Sequence, residues 1–147
     1  MIIRAATPAD EQQWSTLRAA MWPEDSADSH AEEIRRFFRE EWHLPSAAFL
    51  AEQDGTAIGF VEVSIRPYAE ECYSGNVGYV EGWFVIPEER RRGVGAALVA
   101  VAENWARDQG CMEMASDAAL DNRISAQAHA ALGYAQVAEV RCFPKDL

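Results

Sequence analysis

The stretch Arg90-Arg91-Arg92-Gly93-Val94-Gly95 has the form R-x-x-G-x-G at the start of a predicted helix, and the chemistry it suits is phosphate binding. A helix N-terminus carries unpaired N–H groups and the positive end of the helix dipole, which together attract phosphate oxygens. Gly93 and Gly95 lack a Cβ, so the backbone approaches such oxygens closely. Arg90, Arg91 and Arg92 add charge beside them. The chain has 13 basic and 24 acidic residues, a formal net charge of -11, so this cluster runs against the overall sign. No Gly-Lys-Ser/Thr follows, which excludes a P-loop. The full G-x-G-x-x-G and the element order of a dinucleotide fold are also missing.

A second kind of chemistry is suggested by carboxylates in apolar or turn settings. Glu81 stands in the apolar run VGYVEGWFVI, where a carboxylate costs free energy unless it has a partner or a task. Asp117 and Glu139 lie in or at the end of later strand-like runs. Glu24, Asp25 and Asp28 form an acidic loop, and Glu70 with Glu71 form another. Trp22 and Tyr68 offer flat ring faces with N–H and O–H donors. The acidic balance favours a cationic partner and argues against nucleic acid or an anionic membrane. Cys72, Cys111 and Cys142 have no metal-ligand spacing, and the odd count suggests no disulfide framework. No metal is implied.

These groups need elements to hold them. The 147 residues are expected to form one domain, 1–147, with no linker or repeat. Ile2 to Ala5 reads as a strand. Thr7-Pro8-Ala9-Asp10 opens a helix that Pro23 ends. An acidic loop and a helix fill 24–43, with Ile34, Phe37 and Phe38 on one face and Trp42 one turn on. Asp54-Gly55 joins strands 47–53 and 56–65. Residues 66–76 are a loop, 77–86 a central strand, and 93–109 a helix stopped by Gly110. A strand at 111–116, a helix at 122–132 and strand material at 134–143 follow, with Cys111 and Cys142 as small core residues. No apolar run approaches the ~20 residues of a membrane span, and the start lacks signal-peptide character, so a cytoplasmic protein is expected.

Arg90, Gly93 and Gly95 after a strand ending at Ile86, the opening IIRAATPAD, Asn122 and Ala-Leu-Gly-Tyr at 131–134 together resemble the GNAT superfamily of N-acetyltransferases. The resemblance spans essentially the whole chain. It implies an α/β (α+β) fold: a mixed, mostly antiparallel twisted sheet, splayed at its centre, with helices on both faces. It implies acetyl-CoA in the splay, its pantetheine on the backbone of Trp83, Phe84 and Val85. The pyrophosphate would lie on the amides of Arg91, Arg92, Gly93, Val94, Gly95 and Ala96, with Asn122 nearby. Where the family often has a tyrosine that protonates the departing thiolate, this chain has His129; His129 and water stay open as donors.

Within that superfamily, LRAAMWP at 17–23, SIR at 64–66, EGWFV at 81–85, CMEMASD at 111–117 and ISAQAH at 124–129 resemble the type I aminoglycoside 6′-N-acetyltransferases. That resemblance places Trp22, Asp25, Tyr68, Glu81, Asp117 and Glu139 around a small polycationic aminoglycoside. The usual last acid aligns with Ala138, one residue before Glu139. It also implies a homodimer paired through C-terminal strands. The expected chemistry is direct attack in a ternary complex, with Glu81 as general base through a water and the Val85 N–H as oxyanion donor. No serine or cysteine sits in a recognisable triad spacing. Two other readings stay open: an acetyltransferase for a polyamine or a protein N-terminus, and a non-catalytic acyl-CoA-binding module.

Overall fold

Strand residues alternate between two faces, so the run Ala47–Gln53 and the run Thr56–Arg66, joined at Asp54-Gly55, form a hairpin that is buried on both sides. This hairpin is the middle of the computed structural model, which describes residues 1–41 and 45–147. Trp42 lies outside the described residues. The elements are β1 (Ile2–Ala5), α1 (Glu11–Met21), α2 (Ala27–Phe38), β2 (Ala47–Gln53), β3 (Thr56–Arg66), β4 (Val77–Val85), α3 (Val94–Asp108), β5 (Glu113–Ser116) and α4 (Arg123–Ala131).

The sheet runs β1-β2-β3-β4-β5, antiparallel except for the parallel β4·β5 pair. One face is covered by α1 and α2 around Trp14, Leu17, Ile34, Leu50 and Phe60. The other is covered by α3, where Val94, Leu98 and Ala102 meet Val61, Val63, Val80 and Val85. The expected mixed sheet with helices on both faces is therefore what the residues build.

Two features of β4 create the site. The register passes from Glu62↔Gly82 to Val63↔Val80, so Glu81 is the extra residue of a β-bulge. The β4·β5 ladder ends at Val80↔Ser116, and beyond it the two strands have no pairing. That is the central splay.

Local chemistry explains the helix ends. Thr7 and Asp10 cap a short 3-10 turn reciprocally, through Thr7 N to Asp10 Oδ2 at 2.7 Å. Ser26 Oγ caps α2 by accepting from Ser29 N at 3.0 Å, so Asp28 belongs to the first helical turn and not to the acidic loop. Gly110, at φ +87°, lets Cys111 N reach back to Ala106 O at 2.9 Å. Cys111 is thereby spent on closing α3, and β5 begins at Glu113, two residues later than expected.

The strand expected at 134–143 does not form. Tyr134 N closes α4 on His129 O, and from there to Leu147 the chain has no strand pairing. Val137, Val140 and Phe143 have nothing to bury against and are exposed, as is Cys142, which is therefore not a core residue.

Gly59 is one place where the sheet admits only glycine. A Cβ there would lie 2.7 Å from the Phe84 carbonyl oxygen, which is backbone and cannot swing away, and 3.2 Å from Leu98 Cδ1. Gly59→Ala is expected to lower unfolding stability by about 1–3 kcal/mol, read as an earlier urea midpoint with an unchanged m-value.

Candidate active site

The splay between β4 and β5 opens into a groove of about 280 Å³. Its lining is Met21, Trp22, Glu24, Val80, Glu81, Gly82, Trp83, Ser116, Asp117, Ala118, Ala119, Asn122, Ser125 and His129. Trp22, Glu81, Trp83, Asp117, Asn122 and His129, singled out in the sequence, thus converge on one place.

The bulge turns Glu81 into the groove, where Arg66 of β3 holds it by two bonds, Nε to Oε1 at 2.9 Å and Nη2 to Oε2 at 2.6 Å. The partner that a carboxylate in this apolar run needs is thus Arg66, in a bidentate pair. Each carboxylate oxygen keeps a further lone pair for an amine or a water. The Arg66 guanidinium lies 3.7 Å from the centre of the Tyr79 ring, and Tyr79 Oη donates to Asp117 Oδ2 at 2.7 Å. Burial and the Asp117 carboxylate push the Tyr79 phenol upward, so it stays a donor. Glu81 and Asp117 are therefore two ends of one network, Glu81–Arg66–Tyr79–Asp117, whose middle members sequence reasoning passed over. Arg66 was legible only as part of the SIR segment.

The opposite wall is Trp22, packed so closely on β4 that a Cβ at Gly82 would lie 2.6 Å from its ring. His30 stacks on it at 6.2 Å and Arg18 lies 5.2 Å from its centre. Arg18 pairs with Glu33 at 2.7 Å and stands 3.1 Å from Glu62 Oε1, though its N–H misses that oxygen, so the latter contact is electrostatic. Trp14 Nε1 donates to the same Oε1 at 3.0 Å. Burial pushes the Glu62 carboxyl up to about 7, against the pull of Arg18. Glu62 interrupts the apolar run of β3 as Glu81 interrupts β4, and that interruption was its one visible signal.

Other expected residues fall elsewhere. Asp25 is exposed and does not line the groove; its neighbour Glu24 does, because the turn after Trp22 points position 24 inward. Tyr68 is 66% exposed and away from the lining. Glu139 lies in the unpaired C-terminal segment, where it accepts from Gln136 Nε2 at 3.4 Å.

The α3 end of the groove suits an acyl-CoA. Arg91 at φ +62° and Gly93 at φ +82° adopt left-handed backbone just before α3, which has no side-chain cap. Gly95 is needed for a different reason than expected: a Cβ there would meet the Trp83 indole at 3.0 Å. Trp83 Nε1 is buried without a partner. Ile86 N donates to Ile58 O at 2.9 Å, so the antiparallel alternation turns Phe84 toward β3 and turns Trp83 and Val85 toward the splay. Of the three residues expected to offer backbone, Phe84 is thus engaged with β3. Arg90 does not project toward a phosphate. Its Nε donates to the Val85 carbonyl at 2.8 Å, which leaves the Val85 N–H as the free group of that residue. Asn122 Oδ1 caps α4 by accepting from Ser125 N at 3.0 Å, so its Nδ2 is what remains for a ligand.

His129 is tightly held. Its Nδ1 lies 2.7 Å from the Ser125 carbonyl and its Nε2 2.7 Å from Ser116 Oγ. Trp83 and Tyr134 contact the ring edge-on at 5.2 and 5.8 Å. A serine–histidine pair therefore exists where none was recognised in the sequence.

This geometry accords with what the chain is similar to. The profile of the Acetyltransferase (GNAT) family matches residues 12–134. A type 1 aminoglycoside N(6′)-acetyltransferase of Klebsiella aerogenes is 49% identical over 147 residues, 99% of this chain and 97% of that protein. The apo crystal structure of the aminoglycoside 6′-N-acetyltransferase AAC(6′)-IG from Acinetobacter haemolyticus is 38% identical, covers 100% of this chain and 99% of its own, and has a TM-score of 0.90. AAC(6′)-Iy, solved with the bisubstrate analogue CoA-S-monomethyl-acetylneamine, is 37% identical, covers 99% of this chain and 98% of its own, and has a TM-score of 0.89.

Proposed function

The chain belongs to the GNAT acetyltransferase family, and from that premise we propose that it transfers the acetyl group of acetyl-CoA to the 6′-amine of aminoglycosides, as a resistance enzyme. The observation that carries the substrate class is the groove itself: Glu24, Glu81 and Asp117 line it together with the flat face of Trp22. Carboxylates and an indole are what a polyamino sugar needs. A binding module for acyl-CoA alone would have no use for this acidic wall.

The thioester of acetyl-CoA supplies an acyl carbon open to attack and a leaving thiolate. The chain's own residues supply the rest. Amides at the start of α3, with the charge of Arg91 and Arg92, hold the pyrophosphate. Trp83 and Val85 hold the pantetheine along the splayed edge of β4, and Arg90 fixes that edge through the Val85 carbonyl. The Val85 N–H polarises the reacting carbonyl. Glu81 and Asp117 hold the drug's ammonium groups, and Glu81 takes a proton from the 6′-ammonium through a water. Holding amine and thioester together in one groove contributes most of the rate.

No described helix is long and apolar enough to cross a membrane, which suits a cytoplasmic enzyme acting as a single domain over 1–147. The exposed Val137, Val140 and Phe143 beyond α4 support a homodimer joined through this segment.

The test is CoA release from acetyl-CoA with purified protein, with and without kanamycin or tobramycin. Drug-dependent release with acetylation at the 6′-nitrogen supports the assignment. Release with spermidine but not with either drug replaces the substrate and keeps the chemistry.

A further inference from the structure

We infer that Tyr79 is a positioning residue for two carboxylates of the groove at once, its hydroxyl aiming Asp117 and its ring aiming Glu81 through Arg66; this rests on the acetyl-transfer reading of the groove. Tyr79 is 5% exposed and is not part of the groove lining, and neither is Arg66, so both act through the acids they hold.

The hydroxyl serves Asp117. The β4·β5 ladder ends at Val80↔Ser116, so Asp117 is the first residue past the last rung and has no strand partner. It is exposed, and its carboxylate has one hydrogen bond among the described residues, the 2.7 Å bond that Tyr79 Oη donates to Oδ2. That bond restrains the rotation of the carboxylate and leaves Oδ1 and a further lone pair of Oδ2 for a drug ammonium. Without it, the drug would have to order a freely rotating acid as it binds.

The ring serves Glu81. Arg66 is the last residue of β3, and its guanidinium lies over the Tyr79 ring, 3.7 Å from the centre. An aromatic face against a planar guanidinium restrains its tilt. The Nε–Nη2 edge thereby keeps its bonds of 2.9 and 2.6 Å to Glu81. Tyrosine offers a flat face and a donor at its tip together; phenylalanine keeps the first and loses the second. The two tasks are therefore separable by substitution: the hydroxyl bears on drug binding, the ring on turnover.

Steady-state kinetics with tobramycin tests the separation. Tyr79→Phe should raise KM for the drug about fivefold, with kcat, KM for acetyl-CoA and the melting temperature held. In an Asp117→Ala background the same change should leave KM where Asp117→Ala puts it, because the hydroxyl acts through that carboxylate. Tyr79→Leu, which removes the ring, should lower kcat about tenfold and flatten its pH profile, a part of what a general base contributes. Arg66→Lys, which removes the fork that the ring supports, should do the same, and it decides the point if the Leu variant does not fold. A second measurement is independent of turnover. In ¹³Cζ-tyrosine NMR of the free protein, the Tyr79 signal should move on Asp117→Ala. Burial and the Asp117 carboxylate push this phenol upward, so that variant should also let it ionise at a lower pH. An absent KM rise in Tyr79→Phe, an equal rise in both backgrounds, Arg66→Lys with wild-type kcat, or a Tyr79 signal indifferent to Asp117→Ala overturns the inference. If neither drug drives release, the substrate assignment fails while the NMR titration still decides whether Tyr79 holds Asp117.

Discussion

Glu81→Gln should lower kcat/KM for 6′-acetylation by about 10²–10³-fold. Glutamine keeps the size of the side chain and one oxygen for Arg66, so the bulge at position 81 and the sheet around it should persist. The charge that faces a drug ammonium is lost, and so is the acceptor for its proton. The Arg66 clamp makes this loss specific: it fixes the carboxylate by two bonds, 2.9 and 2.6 Å, and leaves it one orientation in the groove. Steady-state kinetics across pH separates the two roles. A fall in kcat with a flattened pH profile supports Glu81 as base; a rise in KM alone, with kcat and profile intact, leaves it as an ammonium anchor. Unchanged turnover and unchanged profile would remove Glu81 from the mechanism.

The fold was legible where one physical rule acts alone. The Asp-Gly turn between apolar runs gave the β2–β3 hairpin to within one residue, Arg66 extending the strand expected to stop at 65, and Thr7-Pro8, Gly110 and Asn122 gave helix ends, because caps and turns are local. The expected last strand failed for a non-local reason. A run such as Ala-Glu-Val-Arg-Cys-Phe has strand character only if an edge is there to receive it, and within this chain residues 134–147 meet none. The bulge at Glu81 was equally hidden, since a register shift belongs to two strands and not to one.

For the site, the sequence located the groove's pieces but not their partners. Glu81, Asp117, Trp22, Asn122 and His129 stood out by type or motif. Their connections did not, because Arg66 to Glu81 is 15 residues, Ser116 to His129 is 13 and Tyr79 to Asp117 is 38. In the R-x-x-G-x-G motif two residues have structural tasks that the sequence did not show: Arg90 serves the Val85 carbonyl, and Gly95 makes room for Trp83. The outlying residues, Asp25, Tyr68 and Glu139, share a cause. All lie in turns or in the unpaired tail, where a one-residue shift re-aims a side chain.

Glu62→Gln should remove a pH dependence of stability worth up to about 3 kcal/mol. Glu62 is 2% exposed, and burial raises its carboxyl from the ordinary 4.5 to about 7. Between those two values the folded protein holds a proton that the unfolded chain has released. Stability from this group is therefore complete below pH 4.5, declines as pH rises, and is lost above about 7. The direction is opposite to that of Asp10, which Arg4 holds down to about 2 and which stabilises as pH rises through the acid range. Glutamine retains an oxygen for Trp14 Nε1 and cannot titrate, and Arg18 keeps Glu33 at 2.7 Å and the face of Trp22. Urea unfolding at several pH values between 4.5 and 8 should show wild type losing stability relative to Glu62→Gln as pH rises. Parallel curves would mean that Arg18 keeps Glu62 ionised throughout. The difference bears on the active site because Glu62 acts behind Trp22. Its charge holds Arg18 from one side while Trp22 forms the groove wall from the other, so a neutral Glu62 leaves that wall with Glu33 as its remaining anionic support.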